Sequence, residues 1–277
     1  GSGDERLNDF TCGESDGDTW LQGECDVSIR PAWFYHPRED HQLKSLSRLI
    51  DIYYESVGRN ANLLLNFPVD RSGRIASADS ARIMEWRRAL DAEFAHDLFA
   101  EAQATADNVR GGARRFSAAK AVDGRADTYW ATDDGVTAAT LSLRVEQPRR
   151  GNRILLQEYI PLGQRVGRFA VEWLDGDTWR PVETAEEMTT IGYKRIIRFA
   201  GVTTPALRVR FGQARGPLCI SNVEAYDAPV LLEEPRIVRN GAGEVTLAAG
   251  DTQAKSAIRW TGRSRDLLRS CTRNLFR

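Results

Sequence analysis

Residues 56–68, SVGRNANLLLNFP, are the most informative stretch for the fold class, because a helix ends and a strand begins within them. Before them, apolar residues from Leu46 to Tyr54 recur at three- and four-residue spacing, which predicts an amphipathic helix. This helix should end near Gly58, a glycine suited to the left-handed conformation of a C-cap. The apolar run 63–67, closed by a proline, is typical of a strand buried on both faces, as in a parallel sheet or barrel.

The first hundred residues alternate between strand and helix on either side of this stretch. The triplet Val-Ser-Ile at 27–29 predicts a short strand. Residues 77–94 predict a second helix, with Ser77 as its N-cap and an apolar stripe from Ile83 to Phe94. Such alternation indicates an α/β architecture, but one crossover does not make a whole sheet. Residues 1–98 are therefore interpreted as a unit that is not a self-sufficient domain of this class.

The pattern changes to short alternating strands beyond about residue 108. Turn signals separate some of them, and a run of about 120 residues with this pattern indicates a β-sandwich. Pro229 and Pro235 then mark a linker to a small third region. The predicted strands are 139–145, 153–160, 168–173, 194–199 and 206–211, followed after the linker by 236–239 and 244–247.

The composition excludes several classes of protein. The 277 residues include 38 Lys and Arg against 39 Asp and Glu, and 42% are hydrophobic, which argues against a wholly disordered or coiled-coil chain. No apolar run approaches the roughly 18–20 residues of a membrane span. The near-neutral charge gives no bulk reason to bind nucleic acid. The four cysteines lack the spacing of zinc ligands. The chain opens Gly-Ser-Gly without an initiator methionine, which fits either a cloning remnant or the middle of a longer protein. Because the next twenty residues are loop-like, we expect a piece of a longer protein.

The densest polar and aromatic cluster reads ECDVSIRPAWFYH and starts at Glu24. On a strand, Glu24 and Asp26 project to the same side, and carboxyl groups serve as acid, base or nucleophile in glycoside cleavage. Trp33 and Tyr35 offer aromatic faces on which a sugar ring can stack. The alternative is structural: an ion pair between Asp26 and Arg30, with both aromatic residues in the core.

A second polar cluster, VDGRADTYW, lies in the predicted sandwich at residues 122–130. Asp123, Asp127 and Thr128 offer hard oxygen ligands in a tight turn, and Glu224 could complete a calcium shell. The alternative is an Asx-type turn with Trp130 in the core. One structural calcium is therefore a hypothesis, and no cofactor is expected for catalysis.

Asparagines 60, 62 and 66 flank the apolar strand. Their side chains could bind backbone carbonyls at the turn or reach a ligand, and the first role is favoured.

Together these stretches resemble the C-terminal end of the catalytic barrel of glycoside hydrolase family 29, the α-L-fucosidases. The resemblance rests on ECDVSIRP with WFYH, on SVGRNANLLLNFP and on GRI at 73–75, and it covers roughly residues 20–95. The form is similar to the subgroup that acts on branched α-1,3/1,4-linked fucose.

The following region resembles the discoidin, or F5/8 type C, β-sandwich through DG at 123–124, TYWAT at 128–132, QEYI at 157–160, GQRV at 163–166 and IGYKR at 191–195. Residues 236–260 are similar to the start of a small chitobiase-type β domain. The resemblance implies an α+β multidomain chain: a partial (β/α) barrel at 1–98, a discoidin-like sandwich at 99–228 and a truncated β domain at 229–277.

The family implies retaining hydrolysis of terminal α-L-fucose by an aspartate nucleophile and a glutamate acid/base. The nucleophile motif and the Trp-x-Gly-Asn-Glu motif expected for the acid/base are absent, so the isolated chain is predicted to be inactive. Glu24 aligns with the acid/base position of the other subgroup, and Asp26, Trp33 and Tyr35 are expected wall residues.

Fucosylated glycans and a missing N-terminal half of the barrel are the implied partners, and the full-length protein is expected to be secreted or periplasmic. The alternative function is a non-catalytic carbohydrate-binding sandwich, and a purely structural sandwich is a third reading.

The last residues, 261–277, depart from the chitobiase-type pattern. The final 19 residues hold six arginines against Asp266. We hypothesise a shifted reading frame near Gly262, because another frame can restore a sequence in the family's style, and hence a tail without an evolved partner.

Overall fold

Two parallel strands and two helices form the first unit of the computed structural model, which describes residues 19–229 and the backbone of 236–239 and 245–248. In chain order they are β1 (Gly23–Ser28), α1 (Leu46–Ser56), β2 (Ala61–Asn66) and α2 (Ser77–Glu93). Strands β1 and β2 pair in parallel, as a crossover through a helix requires. The predicted βαβα pattern, and with it the partial barrel, is confirmed.

The two faces of this small sheet differ in character. One face packs against the helices in a cluster that includes Val27, Ile29, Leu49 and Ile52. The other face carries the polar register pairs Glu24↔Asn62 and Ser28↔Asn66, with Asp26↔Leu64 between them. Leu64 is 48% exposed there, so the prediction of a strand buried on both faces is wrong for the described part of the chain. The physical reason is that the described sheet has two strands and leaves Leu64 uncovered in the middle of its polar face, whereas Ser28 at the carboxyl end of that face is buried.

The helix boundaries agree with the predictions, but the caps differ. Ser45 caps α1 by accepting a hydrogen bond from the Arg48 backbone N–H at 3.2 Å. Gly58 does not adopt a positive φ; Asn60 does, at 66°. Gly58 is needed for close approach instead, since a Cβ there would lie 2.5 Å from the Tyr54 carbonyl oxygen. At α2, Ser77 is the first helical residue and Ala76 occupies the N-cap without a side-chain bond.

Seven strands form the sandwich: β3 (Gln103–Ala106), β4 (Trp130–Ala131), β5 (Ala139–Glu158), β6 (Arg168–Asp175), β7 (Thr178–Pro181), β8 (Arg195–Gly212) and β9 (Cys219–Tyr226). The order is β4-β9-β5-β8-β6-β7, with β3 paired to β5. Four predicted strands prove to be the halves of two long ones, β5 and β8. Strands β3, β4, β7 and β9 were not predicted, because they are short or lie close to the predicted turns.

Register shifts let one sheet fold over itself. They fall between Arg144 and Arg149 and between Gly151 and Arg153 on β5. The first half of β5 pairs with β3 and the end of β8, and the second half pairs with β9 and the start of β8. Inward side chains of both halves share one buried core, which includes Leu141, Leu143, Ile154, Leu156 and Trp130. The predicted β-sandwich is therefore confirmed.

The outer faces of the two sandwich halves have different fates. The second half lies against the helices of the first unit, where Leu155, Ile196 and Tyr226 pack with Ile50 and Tyr54. The first half presents a polar outer face.

Beyond the sandwich, β10 (Arg236–Arg239) and β11 (Val245–Ala248) form an antiparallel pair, close to the predicted bounds. The predictions for residues 1–18 and for the tail lie outside the described residues. Neither helix in the described part of the chain has the length and apolar character needed to cross a membrane.

Candidate functional site

The carboxyl ends of β1 and β2 form the candidate site, because α/β barrels and open parallel sheets bind ligands at this edge. Asn66, the last residue of β2, donates from its side-chain amide to the Trp33 carbonyl at 2.8 Å and to the Ser28 hydroxyl at 3.2 Å. One side chain thus joins the ends of both strands to the loop that follows β1. The favoured prediction for this asparagine was binding of carbonyls at the turn; Asn66 does bind a backbone carbonyl, but one in the loop after β1.

The aromatic loop, residues 31–40, carries Trp33 and Tyr35 beside this asparagine. Trp33 is 39% exposed and its neighbour Phe34 is 74% exposed, so Trp33 does not lie in a core. Tyr35 lies over the Arg30 guanidinium at 4.6 Å, and its hydroxyl is 3.5 Å from the Asp40 carboxylate. Partial burial, aided by this carboxylate, raises the pKa of the Tyr35 hydroxyl.

Arg30 anchors the aromatic loop from below. Its side chain is fully buried and donates to both oxygens of Asp79 on α2, at 2.9 and 2.6 Å. It also donates to Asp40 at 2.8 Å and to the His36 carbonyl at 3.3 Å. The alternative of an Asp26–Arg30 ion pair is therefore wrong. Asp79 was not predicted as a partner of Arg30, since it lies 49 residues away on a helix whose sequence pattern shows only amphipathicity.

Lys44 closes the same corner. Its ammonium group donates to the Ser28 carbonyl at 2.5 Å and to the Arg30 carbonyl at 3.4 Å. Burial, with a smaller contribution from Arg48, lowers the pKa of Lys44. The Lys44 ammonium group therefore fixes the backbone at the end of β1, from which the chain continues to Trp33.

Glu24 and Asp26 lie on the polar face of β1, two residues apart as predicted. Asp26 is half-buried and lies nearer the aromatic loop, whereas Glu24 is exposed near the amino end of the strand. Glu24 is separated from Ser28 by four residues, or about 13 Å of strand. The structure therefore brings Asp26, Trp33 and Tyr35 towards one edge and leaves Glu24 farther along the face.

The calcium candidates in the sandwich do not all meet. Asp123 accepts hydrogen bonds from the Thr128 hydroxyl at 2.7 Å and from Lys120 at 3.0 Å, while Asp127 pairs with Arg125. Although partial burial opposes it, the bonds from Thr128 and Lys120 hold the pKa of Asp123 below its ordinary value.

Glu224, the fourth candidate, has other contacts: it accepts from the Asn222 amide at 2.9 Å and from the Tyr226 hydroxyl. Within residues 19–229 no three His, Cys, Asp or Glu side chains group as metal ligands. The calcium site predicted from Asp123, Asp127 or Thr128, and Glu224 with backbone carbonyls stays a prediction. Trp130 fills the core with no exposed surface and donates to the Asn108 carbonyl at 2.9 Å.

Asn60 joins the two units and reaches neither its own turn nor the candidate site. Its side-chain oxygen accepts from the Tyr193 backbone N–H at 2.6 Å, and its amide donates to Gln164 at 3.2 Å. Trp20 donates to the same Gln164 oxygen at 3.2 Å. Because Asn60 precedes β2, this contact lies at the amino ends of the strands, opposite the aromatic loop.

Two protein-family models match the chain. Residues 3–91 match the model described as Alpha-L-fucosidase, and residues 102–224 match the F5/8 type C domain. A rice (Oryza sativa subsp. japonica) protein provisionally named alpha-L-fucosidase 1 is 39% identical over 76% of this chain and 40% of its own length.

Solved structures agree with these matches. A Bacteroides thetaiotaomicron protein provisionally assigned as an α-L-fucosidase is 37% identical, with a TM-score of 0.74 over 78% of this chain and 47% of that chain. A Ruminococcus gnavus family 29 fucosidase in complex with fucose is 31% identical, with a TM-score of 0.73 over 78% of this chain and 43% of that chain.

The chain spans less than half the length of these relatives. It carries an α-L-fucosidase family domain followed by an F5/8 type C domain, and the predicted resemblance to glycoside hydrolase family 29 is confirmed.

Proposed function

We propose that this chain is the carboxyl-terminal part of an α-L-fucosidase and that the carboxyl ends of β1 and β2 form one wall of its fucose site. The observation that carries the proposal is the Asn66 side chain, which ties both strand ends to the aromatic loop. This wall places an exposed aromatic face beside amide, hydroxyl and carboxylate groups, which is the chemistry that a sugar ring needs. The fucose complex of the Ruminococcus gnavus relative supports the choice of sugar.

Each wall residue has a proposed role. Trp33 packs on the C–H face of fucose, and Asp26 and the Tyr35 hydroxyl bind its hydroxyl groups. Glu24 is the acid/base candidate that the family resemblance implies, although it lies about 13 Å of strand before the carboxyl end of β1, away from the other wall residues. Retaining cleavage needs a second carboxyl group about 5–5.5 Å from the first, and we expect the nucleophile from a segment outside this chain. The substrate of the whole enzyme is a glycan with terminal α-1,3/1,4-linked fucose, and no cofactor is required.

The isolated chain should not release fucose from a chromogenic fucoside. Removing one of two catalytic groups typically costs several orders of magnitude in rate, because the remaining group cannot complete the step. Turnover above background with purified chain would contradict this expectation.

Fucose contact can be tested without turnover. In saturation-transfer NMR, the full chain should transfer magnetisation to fucose, and Trp33→Ala should abolish the transfer. Trp179→Ala, which removes an indole from the sandwich, should leave the signal unchanged. Equal signals from the wild-type chain and Trp33→Ala would show that the wall is assigned wrongly.

The sandwich is the second candidate, as a non-catalytic carbohydrate-binding module. Tyr129 and Tyr159 stack at 4.3 Å, with Phe116 next to them at 5.5 Å from Tyr129, beside the loop that holds Asp123. These rings offer an aromatic platform for a sugar. Retention on fucose- or galactose-agarose that Tyr159→Ala removes and Trp33→Ala does not would favour this function over a purely structural sandwich.

A further inference from the structure

The outer face of the first sandwich half is unusually basic. Side chains of Leu141, Leu143, Val209 and Phe211 point into the core, so the residues between them on β5 and β8 point outwards. The outward set consists of Thr140, Ser142 and Arg144 on β5, Arg208 and Arg210 on β8, and Arg168 and Glu172 on β6. We call this set the basic face. It holds four arginines and one glutamate, and the Asp107 carboxylate lies at its edge, where it accepts from the Thr140 backbone N–H at 2.9 and 3.0 Å.

Glu172 is already committed to two of the arginines. Its carboxylate accepts from Arg208 and lies 3.4 Å from Arg210, and its side chain is 13% exposed. The Arg210 side chain is 60% exposed, and Arg144 and Arg168 are exposed as well. The strand register places no two of these arginines directly opposite each other, and Arg208 lies opposite Glu172. The positive charge available to a bound anion is therefore that of the exposed arginines.

The geometry indicates the chemistry of such an anion. A guanidinium group is planar and binds carboxylate or sulfate through two parallel hydrogen bonds. Thr140 and Ser142 place hydroxyl groups between the arginines, where they can bind sugar hydroxyls. Because the face crosses several strands about 4.8 Å apart, it suits an extended chain better than a compact molecule.

An aromatic residue on this face argues against single-stranded nucleic acid. Trp179 on β7 lies beside the basic face, and the Arg208 guanidinium covers its ring at 4.4 Å. Single-stranded nucleic acids are bound largely by stacking bases on open rings. Duplex DNA is read by an element that enters a groove, which a flat sheet face does not provide.

We propose that the basic face binds an anionic polysaccharide, carboxylated or sulfated, at a site separate from the fucose site. The site lies on the outer face opposite the one that the helices cover, so both sites can be occupied together. This proposal does not depend on fucosidase activity, because it rests on the sandwich alone.

Binding of the full chain to heparin, polygalacturonate, dextran and single-stranded DNA tests the proposal. The wild-type chain should bind the two anionic polysaccharides and not dextran. The double variant Arg144→Gln/Arg210→Gln should lose about tenfold or more in affinity. The slope of log affinity against log salt concentration should become shallower by about 2, one for each charged contact removed.

Arg87→Gln/Arg88→Gln is the matched control. It makes the same change in net charge on the exposed side of α2 and should bind like the wild-type chain. Equal loss in both double variants would overturn the proposal, since net charge alone would then explain binding. Unchanged binding in Arg144→Gln/Arg210→Gln would also overturn it, because the binding would lie elsewhere, for example in the arginine-rich tail. Tighter binding to DNA than to either polysaccharide would assign a different partner and overturn it as well.

Discussion

The first unit and the sandwich are stabilised in different ways. The sandwich encloses a large apolar core to which both halves of its folded sheet contribute. The first unit has a small apolar cluster between its sheet and helices, and its most buried polar contact is the ion pair of Arg30 and Asp79, neither of which has an exposed side chain. Its remaining apolar cluster is shared with the sandwich. The sandwich therefore has its own core, whereas the first unit buries a charge pair and shares an apolar cluster with its neighbour.

The seam between the units is centred on Tyr54. Its hydroxyl donates to Glu93 and accepts from Arg153 Nε at 2.9 Å, and burial raises its pKa above the ordinary value. Arg198 lies over the same ring at 4.5 Å and pairs with Asp51 at 2.7 Å. Hydrogen bonds that span two units hold them in one orientation, so the sandwich serves the first unit as a scaffold.

Limited proteolysis should show the largest effect. Protease should remove residues of the first unit before it cleaves the sandwich, because the polar face of β1 and β2 has exposed strand and little apolar cover. Mass spectrometry of the products identifies the surviving segment. Early loss of the β region with an intact first unit would reverse the comparison.

Breaking the buried ion pair of Arg30 and Asp79 should have the next largest effect on stability. Asp79→Asn leaves the Arg30 charge buried with less compensation, which typically costs about 3–5 kcal/mol. Native-state hydrogen exchange should show this loss in β1, β2 and their helices and not in the sandwich. Asp91→Asn, which breaks an exposed pair with Arg87 on the same helix, should change the free energy of unfolding by about 0.5 kcal/mol or less. Similar losses for both variants would mean that burial of the pair is not decisive.

Calcium should stabilise the sandwich and leave the first unit unchanged. If Asp123, Thr128 and nearby carbonyls hold an ion, calcium at about a hundred times its dissociation constant would stabilise the sandwich by about 2.7 kcal/mol. Calorimetry with calcium and with chelator measures the shift. A melting temperature that neither addition moves would count against the ion.

Alanine substitutions at two glycines, Gly192 at the seam and Gly176 away from it, measure how tightly the two units pack. Gly192 has a φ of +64°, and a Cβ there would lie 2.5 Å from Asn60 Cγ. Gly192→Ala should therefore lower the melting temperature through both backbone strain and a clash with the first unit. Gly176 has a φ of +59°, and a Cβ there would have no atom within 4 Å. Gly176→Ala should therefore destabilise the fold through backbone strain alone, by about 1 kcal/mol. Equal losses in melting temperature would show that Asn60 yields without cost.

The pH dependence at Glu93 should be the smallest effect. Burial raises the pKa of Glu93, and the Tyr54 bond opposes this only in part. The folded chain then holds this proton more tightly than the unfolded chain, so the contribution to stability is complete below the ordinary pKa of glutamate and is lost as pH rises through the raised pKa. Lowering the pH from about 7 towards about 5 should raise the melting temperature of the wild-type chain relative to Glu93→Gln. A constant difference between them would contradict the raised pKa.

Local patterns in the sequence determined the type and place of most elements. The three- and four-residue spacing from Leu46 to Tyr54 indicates a helix, and the apolar run after Asn62 indicates a strand. Both patterns follow from the geometry of the element, which sets the spacing of side chains on one face. Alternation in the later region likewise indicated the sandwich. The polar and aromatic residues from Glu24 to Tyr35 marked the site, since their chemistry is visible without coordinates.

Tertiary structure decided which residues meet. Arg30 takes Asp79 as its partner and not the nearby Asp26, because Asp26 projects to the polar face while Asp79 reaches Arg30 from α2. Asn60 binds Tyr193, which is 133 residues away, and Leu64 is exposed where its sequence predicted burial. Sequence patterns carry the period of an element and the chemistry of its side chains. Burial and pairing depend on what packs against each face, and only the folded chain brings those distant surfaces together.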